Sequence, residues 1–523
     1  MKNLMNAHKR QIPAGTSSPR NLHVPIKSWL AASCALVLLS ACASYKGIAP
    51  SATVQQPEQF ETAQSLPQQH GQWPDAIWAT KIGGAPLQSL IDEAIAGNPS
   101  LQVAAARVAA TRAMTEVAGA ASGPTWTGTF NTTYQRFSEN YIIPPPYGGT
   151  YQSDNALKLN FSYDFDFWGR HAADFRAALS QDKAAQAQQY NARLMIATAV
   201  ARAWVKLGQE YAQLDLNQQQ LAVSQKIGDL KQLRYKVGLD AKSEIQQTQQ
   251  EVSNLGAEHE KLKEAIALTR NQLAALLGKG PDRGLQILPP VLPAEQAIAL
   301  PDALPLNLIG RRPDIVAARW QVEAAQGSID SVKSQFYPDI NLIAFAGFSS
   351  IGLDKLLESG SRTVGVGPAI TVPILNSHTL RGTLKKQVAN YDDMVATYNQ
   401  TLIEALHDVA DHVQSLRALT LQSAQEQRAT QAAKANFQLA AQREHIGTTN
   451  MLPALAAQMT LLSQRRSDID SLARRSDLQI GLIKALGGGF DAKVKDLSKD
   501  HLNSSSNSSS SIQNISSSTE SAS

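Results

Sequence analysis

Cys42 is the residue with the clearest chemical context in this sequence. The chain holds two cysteines, Cys34 and Cys42. Lys27 precedes an apolar run from Trp29 to Leu39, and Leu39-Ser40-Ala41 leads directly into Cys42. A charged start, a short apolar stretch and small residues before a cut describe a secretory signal segment. The run is too short to cross a bilayer as a helix, which takes about 20 apolar residues. Elsewhere the residue patterns of catalysis are missing. The ten histidines are scattered without an HExxH, and the sequence has neither a GxSxG elbow nor a phosphate-binding GxxxxGK[ST] loop. The reading is of a protein that is not an enzyme and holds no metal or cofactor, in which the thiol is the one group with covalent work to do.

That work is acylation. Leu39-Ser40-Ala41-Cys42 resembles the bacterial lipobox, whose cysteine is lipidated before cleavage, so residues 1–41 read as a lipoprotein signal peptide. Cys42 would become the first residue, Cys34 would be lost, and no disulfide could form. Ala43 follows in place of the aspartate that retains such lipoproteins at the inner membrane, which implies the outer membrane. The alternative is an ordinary signal peptide with an incidental cysteine.

The elements behind this address come in two copies. Pro99 and Pro124 recur as Pro313 and Pro338, both displaced by 214 positions. Gly238, Gln249, Leu277 and Gly278 recur as Gly447, Gln458, Leu486 and Gly487, each displaced by 209. A shared offset over such spans marks an internal duplication, and repeats decide the fold before any local pattern does. Residues 42–85, rich in Pro, Gln, Gly and Ser, read as an extended arm. The first repeat is 86–277 with a hairpin at 124–168, and the second is 308–487 with a hairpin at 338–376. Residues 278–307 connect the two, and 488–523 form a Ser/Asn-rich tail.

Within each repeat the period changes. A helical pattern broken at Pro99 gives way after Pro124 to alternation: Trp126, Phe130 and Tyr134 against Thr125, Thr127, Thr129 and Asn131. Leu157, Leu159, Phe161, Tyr163, Phe165 and Phe167 then alternate with Lys158, Asn160, Ser162, Asp164 and Asp166. About ten residues with one apolar and one polar face is what a tilted membrane strand requires. Strands are expected again over Pro338–Ser349 and Thr363–Leu375. From His171 to Lys236 the chain lacks proline, and at ~1.5 Å per residue this is a rod of roughly 100 Å. A break at Val237-Gly238-Leu239-Asp240 precedes a second helix to Leu277, with Ser243 and Gln246 spaced as a capping box. The second copy repeats this with a long helix over Ser377–Glu444, a break near Gly447 and a helix to Leu486.

Four such strands cannot close a barrel, and an open edge has no partner for its N–H and C=O groups in lipid. Several chains must therefore share one. Two would give eight strands with a filled interior, and three would give twelve with a lumen. The polar face carrying Lys158, Asn160, Asp164 and Asp166 favours the wet lumen. Net charge is only +4, with no basic run that would suit nucleic acid.

Arg311-Arg312-Pro313-Asp314-Ile315, Phe336-Tyr337-Pro338-Asp339-Ile340, Asp166-Phe167-Trp168-Gly169-Arg170 and Ala485-Leu486-Gly487-Gly488-Gly489 resemble the motifs of the TolC-type outer-membrane factors, nearest their OprM/NodT lipoprotein branch. The resemblance implies an α+β membrane protein: a homotrimeric 12-stranded β-barrel, four strands per chain, continued by a long α-helical periplasmic tunnel. It implies a passive exit duct of a tripartite efflux system, carrying small toxic molecules or drugs. The partners implied are a periplasmic adaptor, an inner-membrane transporter of the resistance-nodulation-division or major-facilitator type, and outer-membrane lipid. An exit duct for protein export and a structural coiled-coil envelope lipoprotein are the competing readings.

By the same resemblance the helix tips around Gly238 and Gly447 face the adaptor, and the periplasmic gate maps onto Leu452. The gate aspartate of relatives falls on Ala456, and Glu244 occupies a place where an acidic gate residue occurs in the first copy. Glu244 reads equally as a first-turn glutamate favoured by the helix dipole. Arg202 and Asp411 fall at aligned places in the two long helices, off the apolar seams Val200/Trp204/Leu207/Tyr211 and Leu402/Leu406/Val409/Val413/Leu416. They line the tunnel or sit as solvated outer-face charges.

Overall fold

Two prolines fix where each half begins. In the computed structural model Pro99 opens helix α2 (Pro99–Ala120) directly behind α1 (Ala79–Gly97), and Asn98 between them caps the second helix, accepting from Ser100 N at 2.9 Å. Proline suits this first position because its missing N–H would have had no helical partner. The structure describes residues 44–492 except 57–58, 63, 67–70, 141, 293–303 and 374–375. The signal segment, Cys42 and the tail beyond 492 lie outside the described residues. Helix α1 starts seven residues before the apolar patterning at Pro86 suggests, because Trp78, Ala79 and Ile82 are already buried. It breaks at Gly84, which takes φ 66.

The remaining elements run β1 (Thr125–Arg136), β2 (Tyr151–Asp164), α3 (Arg170–Lys236), α4 (Lys242–Leu276), the short α5 (Asp282–Leu285), α6 (Leu304–Arg311), α7 (Pro313–Ser334), β3 (Asp339–Ile351), β4 (Arg362–Thr371), α8 (Ser377–His445) and α9 (Leu452–Ala485). The halves match element by element in order. Helices α2 and α7 start and end 214 positions apart, whereas the ends of α3 and α8 and of α4 and α9 are 209 apart. The five missing residues fall in the second hairpin.

The strands form one antiparallel sheet in the order β1-β2-β3-β4, so the two hairpins lie side by side through the β2–β3 pairing. Thr125 stands opposite Ser162, Leu159 opposite Ala346, and Phe345 opposite Gly365. This register puts Trp126, Phe130, Leu157, Leu159, Val364, Val366 and Ile370 on one face, and all of them are exposed. The opposite face carries Thr127, Thr129, Lys158, Asn160, Ser162 and Thr363. Among the described residues β1 and β4 pair with no further strand.

Strand alternation stops at Asp164, short of the expected Phe167. Asp166 takes φ 47, and its carboxylate accepts from His171 N and Ala172 N, both at 3.0 Å. It satisfies free N–H groups at the start of α3, where negative charge is favoured, and leaves the polar face of the sheet. The link after β1 is shorter than the expected 137–154, since β2 already begins at Tyr151.

Helices α3 and α8, with 67 and 69 residues, are rods of roughly 100 Å. Each carries two shorter helices stacked end to end, α2 and α4 on α3, α7 and α9 on α8, and α3 also packs against α7 and α9. Val200, Trp204 and Leu207 are buried with Leu87, Leu273 and Ile480. Leu402, Leu406, Val409 and Val413 are buried with Ile315, Leu482 and Leu486. Apolar positions at alternating spacings of four and three make this seam. The arm lies along α8: Asp392 accepts from Ser51 N at 3.0 Å, Ser51 Oγ at 2.6 Å and Ala52 N at 3.0 Å, and Asn399 accepts from Gln55 N at 2.9 Å.

Candidate functional site

The two helix-to-helix tips are built by one device. At the end of α3, Gly238 N donates to Tyr235 O at 3.0 Å and Leu239 N to Arg234 O at 2.8 Å. At the end of α8, Gly447 N donates to Glu444 O at 2.9 Å and Thr448 N to Arg443 O at 3.0 Å. This pair of bonds closes a helix whose next residue is left-handed, and both glycines have φ 78. Neither would bring a Cβ within 4 Å of another residue, so the space beside each tip glycine is open to solvent or to a partner. Leu233, Val237 and Leu239 at the first tip and Ile446 and Met451 at the second are exposed.

The tips differ in charge. Glu244 pairs with Lys231 across the first turn at 2.6 Å, and Arg234 donates to both Asp240 oxygens at 2.9 Å. The Arg234 hydrogen bonds hold the Asp240 carboxyl below its ordinary value. The second copy has Ala440, Thr449 and Pro453 at the positions of Lys231, Asp240 and Glu244, so neither pair recurs. There Asn450 Oδ1 accepts from Leu452 N at 3.1 Å and Thr448 Oγ1 donates to Arg443 O at 2.9 Å.

Leu452 is the first residue of α9 and half-buried, while Ala456 one turn on is exposed. Leu455 is the residue that enters the core, with Leu216, Val223 and Leu462. The capping box expected at Ser243 and Gln246 is not formed. Helix α4 begins at Lys242 behind Ala241, which places Ser243 inside the first turn instead of at the cap.

Arg202 and Asp411 are not brought into a pair. Arg202 Nε lies 3.0 Å from Asp477 Oδ1 on α9, and Asp411 is exposed. Sequence reasoning missed His412, whose Nδ1–H donates to Asp408 O at 2.6 Å. A Cβ on Gly481 would overlap the His412 ring and stand 3.0 Å from Arg202 Nη2. Helices α3, α8 and α9 thus converge at Gly481, a lone glycine inside α9, and such a glycine is the available sign of close approach. Just beyond, Arg312 is buried and donates to both Asp314 oxygens at 3.1 and 2.6 Å and to Asp408 at 3.2 Å. Burial works against its charge, but the two carboxylates outweigh it and hold the guanidinium more firmly protonated than usual.

At the other end of the rods, sheet meets helix through aromatic rings. Trp168 stacks on Tyr337 with centroids 4.5 Å apart, and its Nε1 donates to Pro338 O at 2.7 Å. Tyr45 of the arm joins them, its hydroxyl 3.3 Å from that of Tyr337 and its ring 5.5 Å from Phe336. Amphipathic rings gathered at one level are characteristic of a membrane–water boundary.

Comparisons with known proteins agree with this architecture. The family model for outer membrane efflux proteins matches residues 90–279 and 304–488, the two repeats in turn. The multidrug resistance outer membrane protein MdtP of Escherichia coli K12 is 29% identical over 465 residues, 87% of this chain and 95% of MdtP. The fusaric acid resistance protein FusA of Burkholderia cepacia is 34% identical over 315 residues, 60% of this chain and 59% of FusA. Among solved structures, the outer membrane protein VceC of Vibrio cholerae is 36% identical with a TM-score of 0.73, covering 80% of this chain and all of VceC. The CmeC outer membrane channel of Campylobacter jejuni shares the fold at 20% identity, with a TM-score of 0.77 over 88% of this chain and 98% of CmeC. The chain belongs to the outer membrane efflux protein family.

Proposed function

We propose that this protein is the outer-membrane exit duct of a tripartite efflux system, a passive channel for small toxic molecules or drugs. Three copies would close a twelve-stranded barrel, and their helices would continue its lumen through the periplasm. The observation that carries this reading is the sheet. It has four strands, two unpaired edges and one exposed apolar face, and it stands on rods of roughly 100 Å. In lipid such edges need partners, and further copies of the chain supply them.

The tips around Gly238 and Gly447 would dock a periplasmic adaptor, and an inner-membrane transporter would supply the energy. Leu452, with Glu244 as its acidic complement, would narrow the periplasmic end. The arm supports a lipid on Cys42. Ser44 O accepts from Arg381 near the start of α8, and Tyr45 sits at the aromatic boundary. An acyl chain two residues upstream is then in reach of the same leaflet. The names of MdtP and FusA, a multidrug and a fusaric acid resistance protein, support small toxic molecules as cargo.

A deletion strain tests the reading. Increased sensitivity to several toxic compounds, restored by the wild-type gene but not by Gly447→Trp, supports it. Unchanged sensitivity with loss of a secreted protein would favour protein export instead.

A further inference from the structure

The polar face of the sheet carries one feature that the duct reading does not use. Lys158 on β2 stands opposite Gly347 on β3, and Phe345, two residues along β3, stands opposite Gly365 on β4. The Lys158 ammonium lies 5.4 Å from the centre of the Phe345 ring. The ring covers Gly365, where a Cβ would stand 2.7 Å from two of its carbons. An aromatic ring laid over a cross-strand glycine is held by both strands, and a cation above its face is held in turn. The lysine of β2 thereby leans over a ring that itself bridges β3 and β4.

Among the described residues its charge has no counterpart at that height. On this face β1 offers Thr125, Thr127, Thr129, Asn131, Thr133 and Gln135, and β4 offers threonine, glycine and alanine alone. The acidic groups of the face sit towards its ends. Asp164 is engaged by Arg170 at 2.9 Å and by His171 at 2.8 Å, and Asp339 lies 3.9 Å from Arg170. Asp154 is four residues from Lys158, about 13 Å along a strand at ~3.3 Å per residue, beyond the Debye length of about 8 Å at physiological salt.

We propose that Lys158, seated on Phe345, is a selectivity-determining residue of the outer barrel, favouring anionic solutes such as carboxylates over cations. The inference rests on the reading that three copies share one barrel, in which three ammonium groups would face one lumen at one height. Like charges gathered on the wall of a lumen attract solutes of opposite charge and raise their local concentration there.

The test uses full-length protein in planar bilayers under a KCl gradient, with mass in detergent measured on the same samples. Lys158→Gln and Lys158→Glu are compared with wild type. The chloride-to-potassium permeability ratio is expected to fall at least about threefold in Lys158→Glu, with Lys158→Gln between. Because the periplasmic end could dominate the current, a second measurement reads the lumen directly. A thiol placed by Asn160→Cys, opposite Phe345, is modified by an anionic and a cationic thiol reagent added from outside, with Lys158 present and with Lys158→Gln. The anionic-to-cationic rate ratio is expected to drop several-fold when Lys158 is lost. A conducting trimer in which neither the permeability ratio nor the rate ratio moves overturns this assignment alone. A monomer without conductance overturns the shared barrel, and the assignment with it.

Discussion

Asn98 and Arg312 hold the same place in the two halves of the chain. Asn98 Nδ2 donates to Leu276 O at 2.8 Å, and Arg312 Nη1 to Ala485 O at 3.4 Å. The donors are 214 positions apart and the acceptors 209, so each half locks the end of its last helix to the start of its second with one buried side chain. The adjoining glycines repeat the match: a Cβ on Gly278 would overlap Gly97 O, and one on Gly487 would overlap Arg311 O. The duplication read from proline and glycine spacing is therefore a duplicated joint, with asparagine in one copy and a charged arginine in the other.

The arginine joint should be the costlier to break. Arg312→Ala removes a buried guanidinium and its hydrogen bonds to Asp314, Asp408 and Ala485 O, and because both carboxylates keep access to solvent the expected cost is roughly 1–3 kcal/mol. A lowered unfolding temperature in detergent is expected, and Arg312→Lys should restore little of it, because lysine cannot reach both Asp314 oxygens in the fork geometry. Recovery to wild type with lysine would contradict the role of that fork.

Glycines at the joints and at the tips should respond differently. Gly278→Ala and Gly487→Ala combine a positive φ with a backbone overlap, and each is expected to destabilise by roughly 2–4 kcal/mol. Gly238→Ala and Gly447→Ala meet nothing, leaving only the left-handed backbone penalty of about 1 kcal/mol. Thermal unfolding of the four variants separates the classes. The alanine tip variants should lose only that small amount of stability and still complement, while larger side chains there abolish complementation.

Glu210 gives the rods a dependence on pH. The side chain is buried, Thr269 Oγ1 donates to one oxygen at 3.0 Å, and the other has no hydrogen-bond partner. Burial raises its carboxyl above the ordinary value. A folded-state value above the unfolded one stabilises fully below the unfolded pKa, about 4.3, and this contribution is lost as pH rises through the folded value. Glu210→Gln should therefore flatten the fall in unfolding temperature between weakly acidic and neutral pH. Parallel curves for wild type and variant would refute this origin.

Sequence patterning located the elements well where one force dominates. Pro99 and Pro313 can only open helices there, and the seam through Leu402, Leu406, Val409 and Val413 is buried as its spacing requires. Patterning failed where two structures share one signature. The alternation of Phe165, Asp166 and Phe167 continues past the end of β2, so nothing local reveals that Asp166 caps α3. Ser243 and Gln246 have the spacing of a capping box, but Ala241 takes the cap position and the helix starts two residues too early to use it. The meeting of Arg202, His412 and Gly481 joins three helices distant in sequence, and only the glycine hinted at it. The tip charges, Lys231 with Glu244 and Arg234 with Asp240, are local pairs whose geometry required the turn at Gly238 to be known.

If several copies of this chain share one gated barrel, their mass and their conductance must both report it. Mass in detergent together with planar-bilayer conductance, measured on wild type and Leu452→Ala, tests it most directly. A trimer with a small conductance that rises in the variant is expected. A monomer extracted without detergent, or a trimer that never conducts in either form, would contradict it.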